Sequence, residues 1–413
     1  MENAIKTSDE RLARRYARLQ QKTLSEYSQE RKLLEARPDF IEEFSYFLDL
    51  VSTPFNITEI KERVKKPVIG LFCIQAPLEL FLAFDLHPVR LCAGSQTVQQ
   101  VSASTLPVLM CPMLKSFMGS FALYQNQADD FKALILPTTC DWVVKLPEIM
   151  GISSETLHYM ELPHVKDTEK SQHRWLEEMY ELKQFLEKQT GIKLRPEKLA
   201  AAIRQTGSIW KLLTCLTQLK AQGKLQGIWF TLITNSFMLD LPEQWTKHTR
   251  NIVQKLQQKP PLPSPYKVFA AGSPVIFPNF KLLELIEQAG MQIVADDLCS
   301  SERILPGGVV YDDPSEYGML RALSERYHKA CICPTFTDND RRVNNILNAA
   351  EDYGIKGVVY NLLKGCHPYD IEAITIENKI KEKGLKFIKI ETDYGREDSQ
   401  NILTRLEAFK QTL

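Results

Sequence analysis

Apolar and polar positions change their rhythm three times along this chain. From Glu10 to about Lys65 the segment is rich in charge, with Phe40, Phe44, Phe47, Leu48 and Val51 recurring at helical spacing. This predicts a helical arm over 1–65, a packing or dimer-contact element without chemistry of its own. Short apolar runs then alternate with helical stretches. Pro67–Cys73 (PVIGLFC) reads as a buried strand, Pro77–Asp85 (PLELFLAFD) as a helix entered through proline, and Val89–Cys92 as a second strand. A helix opening at Cys111 and strands at Ala133–Thr139 and Leu157–Leu162 extend the same β-α-β grammar, predicting a first α/β domain over 66–170.

From Ser171 the pattern becomes long helices, beginning with SQHRWLEEMYELKQFLEKQTG and continuing from Pro196, which predicts a helical middle block over 171–259. The segment KPPLPSP, Lys259–Pro265, excludes helix and stiffens the connection, so a domain boundary is expected there. Beyond it strands are expected at Tyr266–Ala271, Met291–Ala295, Gly357–Tyr360 and Leu385–Ile390. The intervening helices close on Gly290, Gly354 and Gly384. Another strand end is expected near Cys331 and Cys333. The fold class is therefore α/β: two doubly wound parallel-sheet domains, the second over 266–413, with a helical arm and a helical middle block.

Composition narrows the function. The 413 residues carry 51 Lys and Arg against 51 Asp and Glu, so no net field favours nucleic acid or an anionic membrane. No uncharged apolar run is long enough to span a bilayer. The opening MENAIKTSDERLARRYARLQ lacks the apolar core of a signal peptide, and a cytoplasmic location is expected. In a reducing compartment the nine cysteines read as buried thiols, metal ligands or redox groups before disulfides.

Their placement is informative. Cys73 and Cys92 close the first two expected strands, Cys140 follows Ala133–Thr139, Cys299 follows Met291–Ala295, and Cys366 follows Gly357–Tyr360. Cys111 opens a helix, and only Cys215 lies inside one among apolar neighbours. Ligands in open α/β sheets bind beyond the carboxyl ends of the strands, so these thiols point to a shared site. No C-x2-C pair favours zinc, whereas iron–sulfur clusters accept cysteines gathered by the fold. Unrelated buried thiols are the competing reading.

Cys111-Pro112 with Lys115-Ser116, Thr138-Thr139-Cys140-Asp141 and Gly365-Cys366-His367 carry a resemblance. So do FCIQAPLEL around Cys73 and Glu79, RLCAG at Cys92, and the ending IETDYGREDSQNILTRLEAF. From about Pro67 to the C-terminus the chain resembles the 2-hydroxyacyl-CoA dehydratase component D family, which includes benzoyl-CoA reductase subunits and double-cubane cluster proteins. The resemblance implies two Rossmann-like domains and an iron–sulfur cluster between them, with Cys111, Cys140 and Cys366 as its thiolates. The local wording is closest to the double-cubane branch, whose [8Fe-9S] cluster needs further ligands, with Cys299, Cys331 and Cys333 as candidates. That branch carries another cysteine soon after CPxxKS, and here Phe121–Phe131 has none; the TTCD segment also continues as WVVKL where the branch is more polar. A single [4Fe-4S] cluster and an altered double cluster both stay open.

The resemblance also implies low-potential electrons from a separate ATP-dependent iron–sulfur activator, and a small molecule or CoA thioester as substrate. A homodimer or a heterodimer with a related subunit is expected. The absence of G-x-x-x-x-G-K-[ST] agrees with ATP being handled elsewhere, and no G-x-G-x-x-G follows a strand. Glu79, in the first turn of its helix, is the candidate catalytic proton relay; the alternative is an acidic residue complementing the helix dipole. His367 is either a proton donor or a structural histidine. A non-catalytic iron–sulfur or scaffold subunit is the second functional class.

Overall fold

The computed structural model describes residues 2–52, 57–102, 106–124, 130–262, 264–305 and 307–413, with side chains from residue 11 onward. Residues 53–56 of the expected arm, 125–129 of the cysteine-free stretch and Pro263 of the expected linker lie outside these. Two four-stranded, all-parallel sheets organise the chain. The first contains β1 (Val68–Leu71), β2 (His87–Arg90), β3 (Phe131–Pro137) and β4 (Leu157–Met160), in the order β2-β1-β3-β4. The second contains β5 (Lys267–Gly272), β6 (Gln292–Asp296), β7 (Gly357–Leu363) and β8 (Lys386–Thr392), in the order β6-β5-β7-β8. The two orders are the same when each sheet is read from its own first strand. Each chain direction reverses after the first strand, which opens a crevice between β1 and β3 and another between β5 and β7.

The central strands β1 and β7 are buried along their whole length because both of their faces are covered, and the edge strand β6 is buried as well. Helices Glu169–Thr190, Pro196–Ala221, Gly227–Ser236 and Pro242–Gln257 form the expected middle block. A single buried cluster runs from Phe44 and Phe47 of the arm through Trp175, Leu216 and Trp229 of that block to Val268 and Phe280 of the second half. Phe44 stacks on Trp229 with centroids 4.3 Å apart. The arm itself is one long helix, Glu2–Glu35, followed by short helices at Ser45–Ser52 and Ile57–Val64. No helix among the described residues is long and apolar enough to cross a membrane.

One expectation fails. Cys331 and Cys333 do not end a strand; the chain from Lys329 to Asn339 is turn and loop. Pro334 and the polar run TFTDND interrupt any strand pattern, and the backbone pairs elsewhere. Thr337 N donates to His164 O at 3.0 Å, and Lys166 Nζ donates to Cys331 O. The short helix Gln96–Ser102, between β2 and Cys111, was not anticipated.

Candidate functional site

The cysteines converge because the topology makes strand ends converge. Cys73 lies two residues beyond β1 and Cys92 two beyond β2, while Cys140, Cys299 and Cys366 each lie three beyond β3, β6 and β7. The two sheets present these ends to one another. Seven thiols, those of Cys73, Cys92, Cys111, Cys140, Cys299, Cys333 and Cys366, line one cavity of about 110 Å³ between the halves. The rest of its wall is largely apolar and aromatic, including Phe72, Met113, Leu114, Trp142, Pro274 and Leu363. Tight packing keeps the halves in register here: a Cβ on Gly94 would overlap Ile276 O, and one on Gly365, held at φ 78°, would overlap Leu109 O.

Three of the thiols share a second feature. Cys111, Cys140 and Cys366 are the N-cap residues of Pro112–Leu123, Asp141–Met150 and His367–Glu382. Proline in the first turn starts the first and third of these helices immediately after their cysteine. Three helix N-termini therefore address one cavity, each offering unpaired amides and a positive dipole end to sulfur. The amides of Met113 and Leu114 reach the Cys111 sulfur, those of Trp142 and Val143 reach Cys140, and that of Tyr369 reaches Cys366.

The thiol acidities follow. A hydrogen bond from the Cys366 thiol, aided by the two amides, holds Cys111 below the usual thiol range against the opposing effect of burial. Cys366, the donor of that bond, is raised, with burial adding to the effect. Burial pushes Cys140 up to about 11, and raises Cys73, Cys92 and Cys333. Burial thus opposes ionisation at Cys73, Cys92, Cys140 and Cys333, while hydrogen bonding favours it at Cys111.

Two guanidiniums line the far side. Arg90 donates to Cys299 O at 2.8 Å and approaches the Cys92 sulfur at 3.8 Å. Arg303 donates to Asp297 O, to Ile332 O and, at 2.6 Å, to the Tyr369 hydroxyl, so it ties the Cys299 loop to the Cys333 loop. Behind it Arg342, fully buried, pairs with Asp297 and Glu372. Arg90 had been read only as part of an apolar strand. A charged residue inside PVRLCAG was the available signal, because a half-buried arginine at a strand end needs acceptors there.

The remaining candidates divide. Cys299 and Cys333 face the cavity, whereas Cys331 does not line it. Cys331 is buried behind the wall, where Gln75 Nε2 donates to its sulfur at 3.4 Å, and burial pushes it up to about 12. Cys215 is partly buried on Pro196–Ala221. Glu79 does not line the cavity either. Its carboxylate is buried and accepts from Thr206 Oγ1 at 2.7 Å and from the Tyr327 hydroxyl at 2.8 Å, which draws it toward the middle block.

An outer cleft of about 610 Å³ shares Thr139, Cys140, Trp142, Thr335 and Pro368 with the thiol cavity and leads outward from it. Its titratable groups are Asp141, His164 and His367. His164 Nδ1 stands 3.0 Å from both the carbonyl and the hydroxyl oxygen of Thr335, and Thr335 Oγ1 donates to Thr139 O at 3.0 Å.

Soft thiol donors, amides aimed at sulfur and a mostly apolar wall match what an iron–sulfur cluster requires. Among the described residues no three His, Cys, Asp or Glu side chains come close enough to share a single metal ion.

This architecture defines a two-lobed, doubly wound α/β protein with a thiol-lined cavity between its sheets. The chain belongs to the 2-hydroxyglutaryl-CoA dehydratase D-component family, whose sequence profile matches residues 73–413. It is similar to the Escherichia coli (strain K12) protein named "Putative dehydratase subunit YjiM", at 26% identity over 90% of this chain and 97% of that one. It is also similar to the (R)-phenyllactyl-CoA dehydratase beta subunit of Clostridium sporogenes, at 22% identity over 90% of this chain and 98% of the relative. The lactoyl-CoA dehydratase subunit beta of Anaerotignum propionicum matches at 21% over 89% and 98%.

Proposed function

We propose that this chain is an iron–sulfur-bearing subunit of a 2-hydroxyacyl-CoA dehydratase, with Cys111, Cys140 and Cys366 holding a [4Fe-4S] cluster. The observation that carries this reading is the convergence of three N-cap cysteines, from both lobes, on one cavity with amides directed at their sulfurs. When bound, such a cluster supplies low-potential one-electron chemistry. The electrons come from a separate ATP-dependent iron–sulfur activator, and the substrate is a small molecule or a CoA thioester.

The chain's own residues do the rest. The outer cleft admits the acyl group, Trp142 and Pro368 close its inner end against water, and Thr335 fixes the His164 ring by engaging Nδ1. With Nδ1 so engaged, Nε2 is left to exchange a proton with whatever occupies the cleft. Two of the relatives are named as beta subunits of dehydratases, which supports assembly with a related subunit.

A second cluster is a further reading, favoured by the number of thiols. Cys73, Cys299 and Cys333 line the same cavity opposite the first set, with Cys92 beside them and Cys331 just behind. Anaerobic purification with iron and sulfide analysis tests both readings. About four irons per chain matches the single cluster and about eight the double one. A protein that stays colourless and iron-free after reconstitution overturns the assignment and leaves a thiol-rich scaffold subunit.

A further inference from the structure

The wall of the thiol cavity carries two guanidiniums and no carboxylate. Arg303 is balanced all the same. With Arg342 behind it, it stands beside Asp297 and Glu372, two cations against two carboxylates. Arg90 is not balanced. It closes β2, half-buried, and its hydrogen bonds reach only Cys299 O, at 2.8 Å, and the Cys92 sulfur, at 3.8 Å. Among the described residues no carboxylate pairs with it, and the ionisable groups that act on it most are the thiols of Cys92, Cys299 and Cys73.

Its other side offers no counter-charge either. Arg90 and Cys92 also line a second cavity, of about 70 Å³, walled mainly by apolar side chains such as Val51, Phe237 and Phe277. Thr234, Asn235 and Ser300 are polar members of that wall, and it holds no acid. Arginine cannot shed its proton to escape such a position, and a cation kept from water is costly unless an opposite charge meets it. A charge left open toward a cavity is matched when an anion fills that cavity.

We infer that Arg90 sets the charge preference of the thiol cavity: it makes the cavity select an occupant of net negative charge and draws that occupant toward Cys73, Cys92 and Cys299. The outer cleft shares Thr139, Cys140, Trp142, Thr335 and Pro368 with the cavity, but not Arg90. Arg90 therefore acts on what the thiols hold, as a positioning residue, and not on a molecule entering from that cleft. The charge preference holds with or without iron. Its consequence for a reduction potential rests on the iron–sulfur reading, because a positive charge beside a redox group favours the reduced, more negative form.

Alkylation of the iron-free full chain by iodoacetate and by iodoacetamide, read at each cysteine by peptide mass spectrometry, tests it. Both reagents attack the same thiolate and are close in size, so the ratio of their rates reports charge. Relative to Cys215, which lies outside the cavity, the iodoacetate-to-iodoacetamide ratio at Cys92 is expected to be about tenfold higher in wild type. Arg90→Gln removes that preference and Arg90→Lys keeps most of it. A ratio at Cys92 no higher than at Cys215, or no change in Arg90→Gln, overturns the proposal. So does an equal fall in Arg90→Gln and Arg90→Lys, which would assign Arg90 to packing alone. Should Arg90→Gln fail to fold, the wild-type comparison with Cys215 decides. In iron-loaded protein, redox titration followed by electron paramagnetic resonance should place the midpoint of Arg90→Gln lower by about 59 mV, a tenfold change in a one-electron equilibrium, and that of Arg90→Lys near wild type. An unchanged midpoint in loaded Arg90→Gln overturns the proposal as well. A wild-type chain that takes up no iron overturns the iron–sulfur reading instead, and the alkylation ratio then decides this one.

Discussion

Glu79 shows how a single buried side chain can be assigned by its partners. Its two carboxylate oxygens each accept from a different element, Thr206 on one helix and Tyr327 on another, and neither belongs to the cavity wall. Replacing it with alanine strands the buried Tyr327 hydroxyl and leaves Thr206 Oγ1 only the Ile203 carbonyl, and is expected to cost about 1–3 kcal/mol in urea unfolding. Iron content of the reconstituted protein should not change. Loss of iron with unchanged stability would instead restore Glu79 to the site. The same logic separates two neighbouring thiols. Cys331→Ser should leave iron content at the wild-type level, whereas Cys111→Ser, Cys140→Ser and Cys366→Ser should each lower it sharply, as measured by iron and sulfide analysis. His87 carries a pH prediction. Burial holds its imidazole down at about 4, and its Nε2 lies 3.0 Å from Met238 O. Between pH 6.5 and 4 the unfolded chain takes up a proton that the folded chain refuses, so stability falls as pH falls, by about 3 kcal/mol from this residue. A chemical-denaturation series over that range should show a slope that His87→Gln lessens, with half-buried His158 contributing the same sign.

At the scale of elements, the site is made of helix starts and strand ends held close by glycine. Gly365 precedes Cys366 in a left-handed conformation with Leu109 O against it. Gly365→Ala is expected to cost about 2 kcal/mol or more and to weaken cluster incorporation, because the loop carrying Cys366 must retreat from the one carrying Cys111. Wild-type stability and wild-type iron loading in that variant would refute the tight-contact argument. Several of these elements were legible in advance. The strand ends were read from short apolar runs that need no tertiary partner to recognise, and so Cys73, Cys92, Cys140, Cys299 and Cys366 were located correctly relative to the strands. The Cys331–Cys333 segment was not legible. Its loop is held by His164 and Lys166, residues more than 160 positions away, and no local periodicity records such bonds.

The whole molecule behaves as one packed body around the middle block. Leu216 and Trp229 share a buried cluster with Phe44 on one side and with Val268 and Phe280 on the other. A fragment comprising residues 266–413 would expose that surface, and it is expected to lack cooperative thermal unfolding and to bind a hydrophobic dye. A sharp, reversible transition in the isolated fragment would show that the second lobe folds alone. The sequence by itself determined the two sets of parallel strands, the helical block between them and the thiols at strand ends, because hydrophobic period and turn chemistry are local properties. Only the tertiary structure decided that seven of nine thiols meet in one cavity, that Cys331 and Glu79 stand outside it, that Arg303 and Arg326 are buried and that Arg90 is half-buried. Those outcomes depend on how two lobes far apart in sequence are pressed together, and packing between distant segments leaves no periodic trace along the chain.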